Sequence, residues 1–161
     1  MKRICLVWAV LAIAVCFGCK KSTTVTGPSG EQTTVTKKGD KTEITVQGRD
    51  GEKVTIAGGE RGVALPEGFP KDVPIYPGAT VASSVKQAKQ FTVMLKAGDG
   101  VAKVADHYAA KLKENGWEIE TTVNMAEGRM FAAKKDNRTV SVMIVPEGGK
   151  AVATLTVAEN E

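Results

Sequence analysis

The segment from Lys20 to Gly59 contains no Phe, Tyr, Trp, Leu or Met. Thr, Gly, Lys and acidic residues dominate it, and a segment of this composition cannot bury much apolar surface. The composition changes near residue 62, where Leu and aromatic residues begin. We therefore expect the globular core only after that point.

The same segment contains a repeat in which an aliphatic residue precedes Thr at spacings of 10, 9 and 10 residues. The pairs are Val25-Thr26, Val35-Thr36, Ile44-Thr45 and Val54-Thr55. Because β-branched residues favour extended backbone and Gly-rich turns separate the pairs, we predict four short strands in a marginal meander. Two roles fit this segment, a semi-flexible stalk or a surface that adds a strand to a partner, and its polar low complexity favours the stalk.

The N-terminus has the pattern of an export signal. Lys2 and Arg3 precede an uncharged, largely apolar run of 14 residues from Ile4 to Phe17. This run is shorter than the roughly 18 residues needed to span a membrane. The chain's three cysteines, at positions 5, 16 and 19, all lie in this first part of the sequence.

Cys16-Phe17-Gly18-Cys19 fits two chemistries, a C-x-x-C redox pair or a lipidation site. No βαβ pattern surrounds it, which argues against a redox pair. Gly18-Cys19 resembles the lipobox of bacterial lipoproteins, although Cys16 stands where that family usually has an aliphatic residue. The resemblance implies cleavage after Gly18 and acyl chains on Cys19, and two or more chains hold a protein stably on a membrane.

That resemblance also implies a location and partners. The chain would be anchored to the cell membrane or outer membrane through acylated Cys19, with its folded part in the periplasm or outside the cell. The formal net charge of +4 includes Lys2 and Arg3, which cleavage removes. Since no basic stripe with interleaved aromatics is present, we predict no nucleic-acid partner. Lys134, Lys135 and Arg138 could touch anionic headgroups, but a solvated loop is the favoured interpretation.

A proline-rich segment from Leu65 to Ala79 predicts a stiff, extended entry into the second region. Its motif Pro74-Ile75-Tyr76-Pro77-Gly78-Ala79, with Tyr108 and Gly116-Trp117 further on, resembles a group of uncharacterised bacterial envelope proteins. The resemblance spans roughly residues 66–157. It implies a domain boundary and no activity.

Periodicity after residue 80 predicts one helix among six strands. Asp99 is expected to N-cap a helix with Val101, Val104, Ala105, Tyr108 and Leu112 on its apolar face, and Gly116 is expected at its C′ position. The strands are expected at 81–86, 91–96, 117–123, 130–135, 140–145 and 151–157. We therefore predict an α+β fold, an antiparallel β-β-α-β-β-β-β sheet with one helix on one face, preceded by a Thr/Gly-rich β-meander or flexible stalk. The predicted units are a signal peptide (1–18), a stalk (19–61) and a globular domain (62–161).

No pattern in the sequence predicts a catalytic residue, a metal site or a cofactor. His107 is the only histidine and is expected on the solvated flank of the helix. Gly98-Asp99-Gly100 lacks the remaining residues of a phosphate loop. Glu118 and Glu120 are expected on the solvent face of one strand, which does not favour a catalytic carboxylate pair.

Three functions from different classes remain open. The first is a non-catalytic envelope binding or assembly module that presents a sheet face or edge to an envelope protein. The second is a carrier of a small ligand or lipid, with a pocket between helix and sheet near Phe91, Tyr108 and Phe131. The third is an unrecognised hydrolase.

Overall fold

The computed structural model describes residues 21–27, 30–48 and 51–160, so Gly18 and Cys19 lie outside the described residues. The described residues form one helix and a single antiparallel sheet of ten strands. The elements are β1 (Lys21–Thr26), β2 (Gln32–Lys38), β3 (Lys41–Gln47), β4 (Lys53–Gly58), β5 (Thr80–Gln87), β6 (Gln90–Lys96), α1 (Val101–Glu114), β7 (Glu118–Asn124), β8 (Arg129–Lys135), β9 (Arg138–Glu147) and β10 (Lys150–Glu159). Their order across the sheet is β1-β2-β3-β4-β5-β6-β10-β9-β8-β7.

The predicted fold class is wrong. The described chain is mostly strand, and its four N-terminal strands form no stalk or separate meander, because β4 pairs with β5 from Val54↔Gln87 to Gly58↔Ser83. Backbone groups make these hydrogen bonds, so the sheet can be extended without adding large side chains to a core. The predicted boundaries of the leader and of a unit beginning at residue 62 stay predictions.

The helix buries the face that its periodicity predicts. Val104, Ala105, Tyr108 and Leu112 are all fully buried. The N-cap, however, is Gly100 without a side-chain hydrogen bond, so the predicted capping by Asp99 is wrong. This helix packs on β7, β8, β9 and β10, and it therefore covers one face of the C-terminal half of the sheet.

A Schellman motif ends the helix, as the sequence predicts. Gly116 has a φ of +80°, which glycine adopts without strain. Its N–H donates to the Lys113 carbonyl at 3.0 Å, and the Trp117 N–H donates to the Leu112 carbonyl at 2.9 Å. Trp117 is thereby turned into the core, where it is 2% exposed.

The core lies between the helix and the sheet. Its largest sheet residues come from β6, β9 and β10, where every second side chain points towards the helix. These residues are Val93, Leu95, Val140, Val142, Ile144, Leu155 and Val157. The helix side of the sheet is thus the covered face in this half of the molecule.

Candidate functional site

A groove of about 690 Å³ lies on the helix side of the sheet, on the strands that the helix leaves uncovered. Its floor is formed by β2 to β5, with Thr36, Thr55, Ala57 and Ser84 among the floor residues. One wall is the extended segment Val63-Ala64-Leu65-Pro66-Glu67. The groove therefore combines an aliphatic wall with a floor of small and hydroxyl side chains.

The wall segment is held in place at both ends. The Val63 N–H donates to the Val81 carbonyl of β5 at 2.8 Å, and Lys86 Nζ donates to the Glu67 carbonyl at 2.8 Å. Gly62 makes the approach possible, because its φ is +84° and a Cβ there would lie 2.6 Å from Thr80 Cγ2. Only glycine fits this conformation and this space without displacing the wall.

The rim of the groove carries lysines that are available to a ligand. Lys38, Lys41 and Lys53 line it, and none of the three makes an ion pair within the described residues. Three glutamates also line the groove, namely Glu43, Glu52 and Glu67. Glu52 already accepts a hydrogen bond from Gln87 Nε2 at 2.8 Å. A ligand in the groove would therefore meet apolar surface and unpaired ammonium groups together.

The structure does not bring the three predicted ligand-facing residues into this groove. Tyr108 and Phe131 are buried in the core at 0% and 3% exposure. Phe91 is half-buried at the sheet end near the groove, where its ring meets Phe69 edge-on at 5.9 Å. Lys86 lines the groove and also lies 5.5 Å from the Phe91 ring centroid. Phe91 is thus next to the groove, whereas Tyr108 and Phe131 support the helix.

Asp72 fixes the proline-rich segment to the domain. Its carboxylate accepts two hydrogen bonds from Arg138, at 2.9 and 2.7 Å, and one from Lys135 Nζ at 2.8 Å. Its carbonyl accepts from Trp117 Nε1 at 3.0 Å. The guanidinium of Arg138, followed by the ammonium of Lys135, holds the pKa of Asp72 well below its usual range. Lys135 and Arg138 are therefore ion-pair partners, and only Lys134 of the predicted basic cluster is exposed without such a bond.

A cluster of three polar side chains lies where the proline-rich segment meets the start of the helix. The Tyr76 hydroxyl donates to Asp99 Oδ2 at 2.7 Å, and Lys103 Nζ donates to Asp99 Oδ1 at 2.9 Å. These two bonds, first that of Tyr76 and then that of Lys103, lower the pKa of Asp99. Asp99 therefore joins the segment to the helix instead of capping it.

His107 is not the solvated side chain that the sequence predicts. It is half-buried, its ring meets Tyr76 at 4.9 Å and Tyr108 at 5.6 Å, and its Nε2 has neither solvent contact nor a hydrogen-bond partner in the described part of the chain. Burial, followed by the charge of Lys111, lowers the pKa of His107. The Tyr108 hydroxyl is also buried without a partner there, and burial raises the pKa of Tyr108. The aromatic contacts explain why a histidine at a polar helical angle is withdrawn from water.

Other candidates for chemistry stay apart. Glu118 and Glu120 are both exposed on β7. Among residues 21–27, 30–48 and 51–160, no group of three or more His, Cys, Asp or Glu side chains is placed to hold a metal ion. The same part of the chain contains no helix with the length and apolar character required to cross a membrane.

Sequence patterns missed the residues of the groove. Val63, Ala64 and Leu65 are a short apolar run, and Lys38, Lys41 and Lys53 are scattered over a polar segment. The alternation in β2 to β4 puts these lysines on one face, but it gives no sign that residues 63–67 lie beside them. That placement depends on the contacts of Gly62 and Val63 with β5.

Comparison with known proteins gives one match. A family model described as START domain-like matches residues 79–156, just under half of the chain. No curated protein and no solved structure matches the chain. The matched residues contain the helix, the strands from β5 to β9 and most of β10, with the helix held on one face of an antiparallel sheet. Domains of this type generally bind ligands rather than catalyse reactions, so the match favours a ligand-binding module over an enzyme.

Proposed function

We propose that this chain is a non-catalytic module that binds an anionic amphipathic ligand, such as a lipid with an acidic headgroup, in the groove between β2–β5 and residues 63–67. The observation that carries the proposal is the combination of an aliphatic wall at residues 63–66 with three lysines that make no ion pair among the described residues. The START domain-like match supports ligand binding in general. It does not itself select this groove.

The dimensions and chemistry of the groove suit such a ligand. Ligand sites usually enclose about 300–1,000 Å³, and this groove has about 690 Å³. Burying an acyl chain against Val63, Leu65 and Pro66 would contribute roughly 0.8 kcal/mol for each methylene removed from water. The ammonium groups of Lys38 and Lys41 would bind the acidic headgroup through charge-assisted hydrogen bonds. Apolar area supplies affinity here, and the lysines supply selectivity for anions.

A binding titration tests this proposal. The full chain, purified in mild detergent, is titrated with dansyl-labelled undecanoic acid while the fluorescence of the dansyl group is followed. Ala57→Trp fills the groove floor and should weaken binding at least tenfold. Ala102→Trp is the matched control, because Ala102 is exposed on the helix outside the groove, and it should bind like the wild type.

The contribution of charge is tested in the same titration. Lys41→Glu should lower the affinity about fivefold, since a charge reversal near the rim is worth on the order of 1 kcal/mol at an exposed site. Lys150→Glu makes the same charge change in the β9–β10 hairpin and should leave the affinity close to that of the wild type. Equal losses for the two variants, or binding unaffected by Ala57→Trp, would exclude the groove as the site.

The proposal also includes a lipid anchor on Cys19, which holds the module on a cell membrane or outer membrane facing the periplasm or the exterior. The export pattern and the resemblance of Gly18-Cys19 to a lipobox support it. Cys19→Ala should abolish incorporation of labelled fatty acid and leave an uncleaved precursor. A variant that is cleaved and labelled like the wild type would refute the anchor.

A second candidate function is the binding of an envelope protein by strand addition. β1 favours it, because all six of its residues are exposed and it forms one edge of the sheet. Thr23→Pro and Thr24→Pro test it, since neighbouring residues of an edge strand direct their N–H groups to opposite sides. The substitution that removes the outward N–H should abolish co-purification of a partner from membranes while leaving the fold intact.

A further inference from the structure

The sheet face opposite the helix, called the open face below, presents an aliphatic row on the first strands. Its members are Val35, Ile44, Ile56 and Val85, which are partners in register across β2 to β5. Val46 and Val54 form a second pair on the same face. In an antiparallel sheet with one face in water, apolar side chains normally point to the covered face. In β2 to β4 they point to the face on which no helix or strand of the described residues packs.

Methionines continue the open face beyond β5. Met94 of β6, Met143 of β9 and Met130 of β8 lie in one register row. Met94 is 38% exposed and Met143 is 40% exposed. Methionine side chains are flexible and polarisable, so they adapt to a partner surface at little cost.

Charged side chains are confined to the rim of the open face. Six neighbouring strands, β3, β4, β5, β6, β10 and β9, each direct three central residues to the open face. All of these residues are uncharged. Lys37, Lys96 and Lys134 stand around them. The opposite side of β2 to β4, by contrast, carries Lys38 and Lys41 together with the other charges of the groove. The open face shares its lack of charge and its methionines with interface cores, and Thr, Ser or Gln occupies half of its central positions.

The uncharged area is large enough for a specific contact between two copies. Strands lie about 4.8 Å apart and same-face residues about 6.8 Å apart, so three positions on six strands cover about 600 Å². Two such faces together would bury about 1,200 Å², which is the lower limit of stable specific interfaces. Val35 on β2 and Met130 on β8 extend the area beyond that limit.

We propose that the open face binds the open face of a second copy of this chain, which gives a two-fold symmetric dimer of two stacked sheets. An uncharged face matches itself, because no like charges meet across the two-fold axis. A charged partner would lose hydration on this face without gaining an ion pair. Sheets stacked about 10 Å apart and crossed at about −30° would bury the aliphatic row of each copy.

Sedimentation equilibrium of the full chain in density-matched mild detergent tests the dimer. The wild type should sediment at twice the mass that mass spectrometry gives for one chain of the purified protein. Ile44→Lys places a charge on the open face and should shift the protein to a single chain. Thr45→Lys is the matched control, because the neighbouring residue of the same strand points to the other face, and it should leave the dimer intact. A single-chain mass for the wild type, or equal dissociation by both variants, would overturn the proposal.

Photo-cross-linking in membranes tests the same contact without requiring a charged variant to fold. A benzoylphenylalanine at position 56 lies on the open face, and one at position 55 lies on the opposite face of β4. The dimer predicts a product of two copies from position 56 and none from position 55. A product with lipid or with another protein at position 56, or no product there, would contradict it.

Discussion

The two halves of the sheet direct their apolar side chains to opposite faces. On β6, β9 and β10, Leu95, Ile144 and Leu155 point to the helix and are fully buried. On β3 and β4, Ile44 and Ile56 point away from it, and Ile56 is 40% exposed. The apolar face of this continuous hydrogen-bonded sheet is therefore on the helix side in one half and on the opposite side in the other half.

The change of face occurs in β5. Val81 pairs with Leu95 on the helix side, whereas Val85 pairs with Ile56 on the open face. An extra residue between Val81 and Ser83 shifts the register, and such a bulge reverses which side chains face each side. The helix-covered half is therefore stabilised by its core, and the other half by backbone pairing and cross-strand contacts.

The largest expected effect tests this difference in stability. Leu155→Ala removes a side chain at 0% exposure in the covered half and should lower the free energy of unfolding by about 3 kcal/mol. Ile56→Ala removes a side chain of similar size in the other half and should cost only about 1 kcal/mol. Urea denaturation at low protein concentration measures both. Equal losses would mean that the two halves are covered alike.

The next effect concerns the contact that fixes the proline-rich segment to the covered half. Asp72→Asn removes the carboxylate that Arg138 and Lys135 share, and it should cost about 2 kcal/mol in urea denaturation. Asp106→Asn is the control, because Asp106 is exposed and makes one long ion pair, at 3.5 Å, with Arg129. The free energy of unfolding of this variant should stay within about 0.5 kcal/mol of the wild type.

The same carboxylate predicts a pH dependence. Because the pKa of Asp72 is lowered in the folded state, its contribution is complete above the unfolded pKa of about 3.9 and is lost as the pH falls below it. Stability of the wild type should therefore decline on acidification from about pH 4. Asp72→Asn should show a shallower decline, and identical pH profiles would argue against the ion pairs.

A smaller effect is expected where the groove wall meets β5. Gly62→Ala introduces a Cβ about 2.6 Å from Thr80 Cγ2 at a positive φ, whereas Gly78→Ala meets only the positive φ, with no atom within 4 Å. Gly62→Ala should cost about 1 kcal/mol more than Gly78→Ala. It should also weaken binding of the dansyl probe, and Gly78→Ala should not.

The smallest effect is the titration of His107. Because the pKa of His107 is lowered in the folded state, the ring stays neutral to a lower pH than the usual value near 6.5. Its contribution to the stability of the fold therefore falls as the pH falls. Proton NMR should find its midpoint below 6.5. A midpoint at or above that value would mean that the ring is hydrated, as the sequence predicts.

The sequence identifies elements better than their arrangement. The helix and its buried face at Tyr108 and Leu112 could be predicted, because the 3.6-residue period and the Gly116 stop signal are local. The pairing of β4 with β5 could not, because backbone groups are the same in every sequence. Nor could the groove, since its wall depends on how Gly62 approaches Thr80. Local periodicity also does not predict the bulge between Val81 and Ser83, which changes the face to which the other side chains of the strand point.

Paramagnetic broadening of methyl signals in the full chain tests whether the groove binds the ligand. The probe is stearic acid with a nitroxide on its acyl chain, added to protein with labelled Ala, Leu, Ile and Val methyls. If the ligand lies in the groove, the strongest broadening should occur at Ala57 and Leu65, which line it. Strongest broadening at Ile44 and Ile56 on the open face, or at the core residue Leu112, would contradict it.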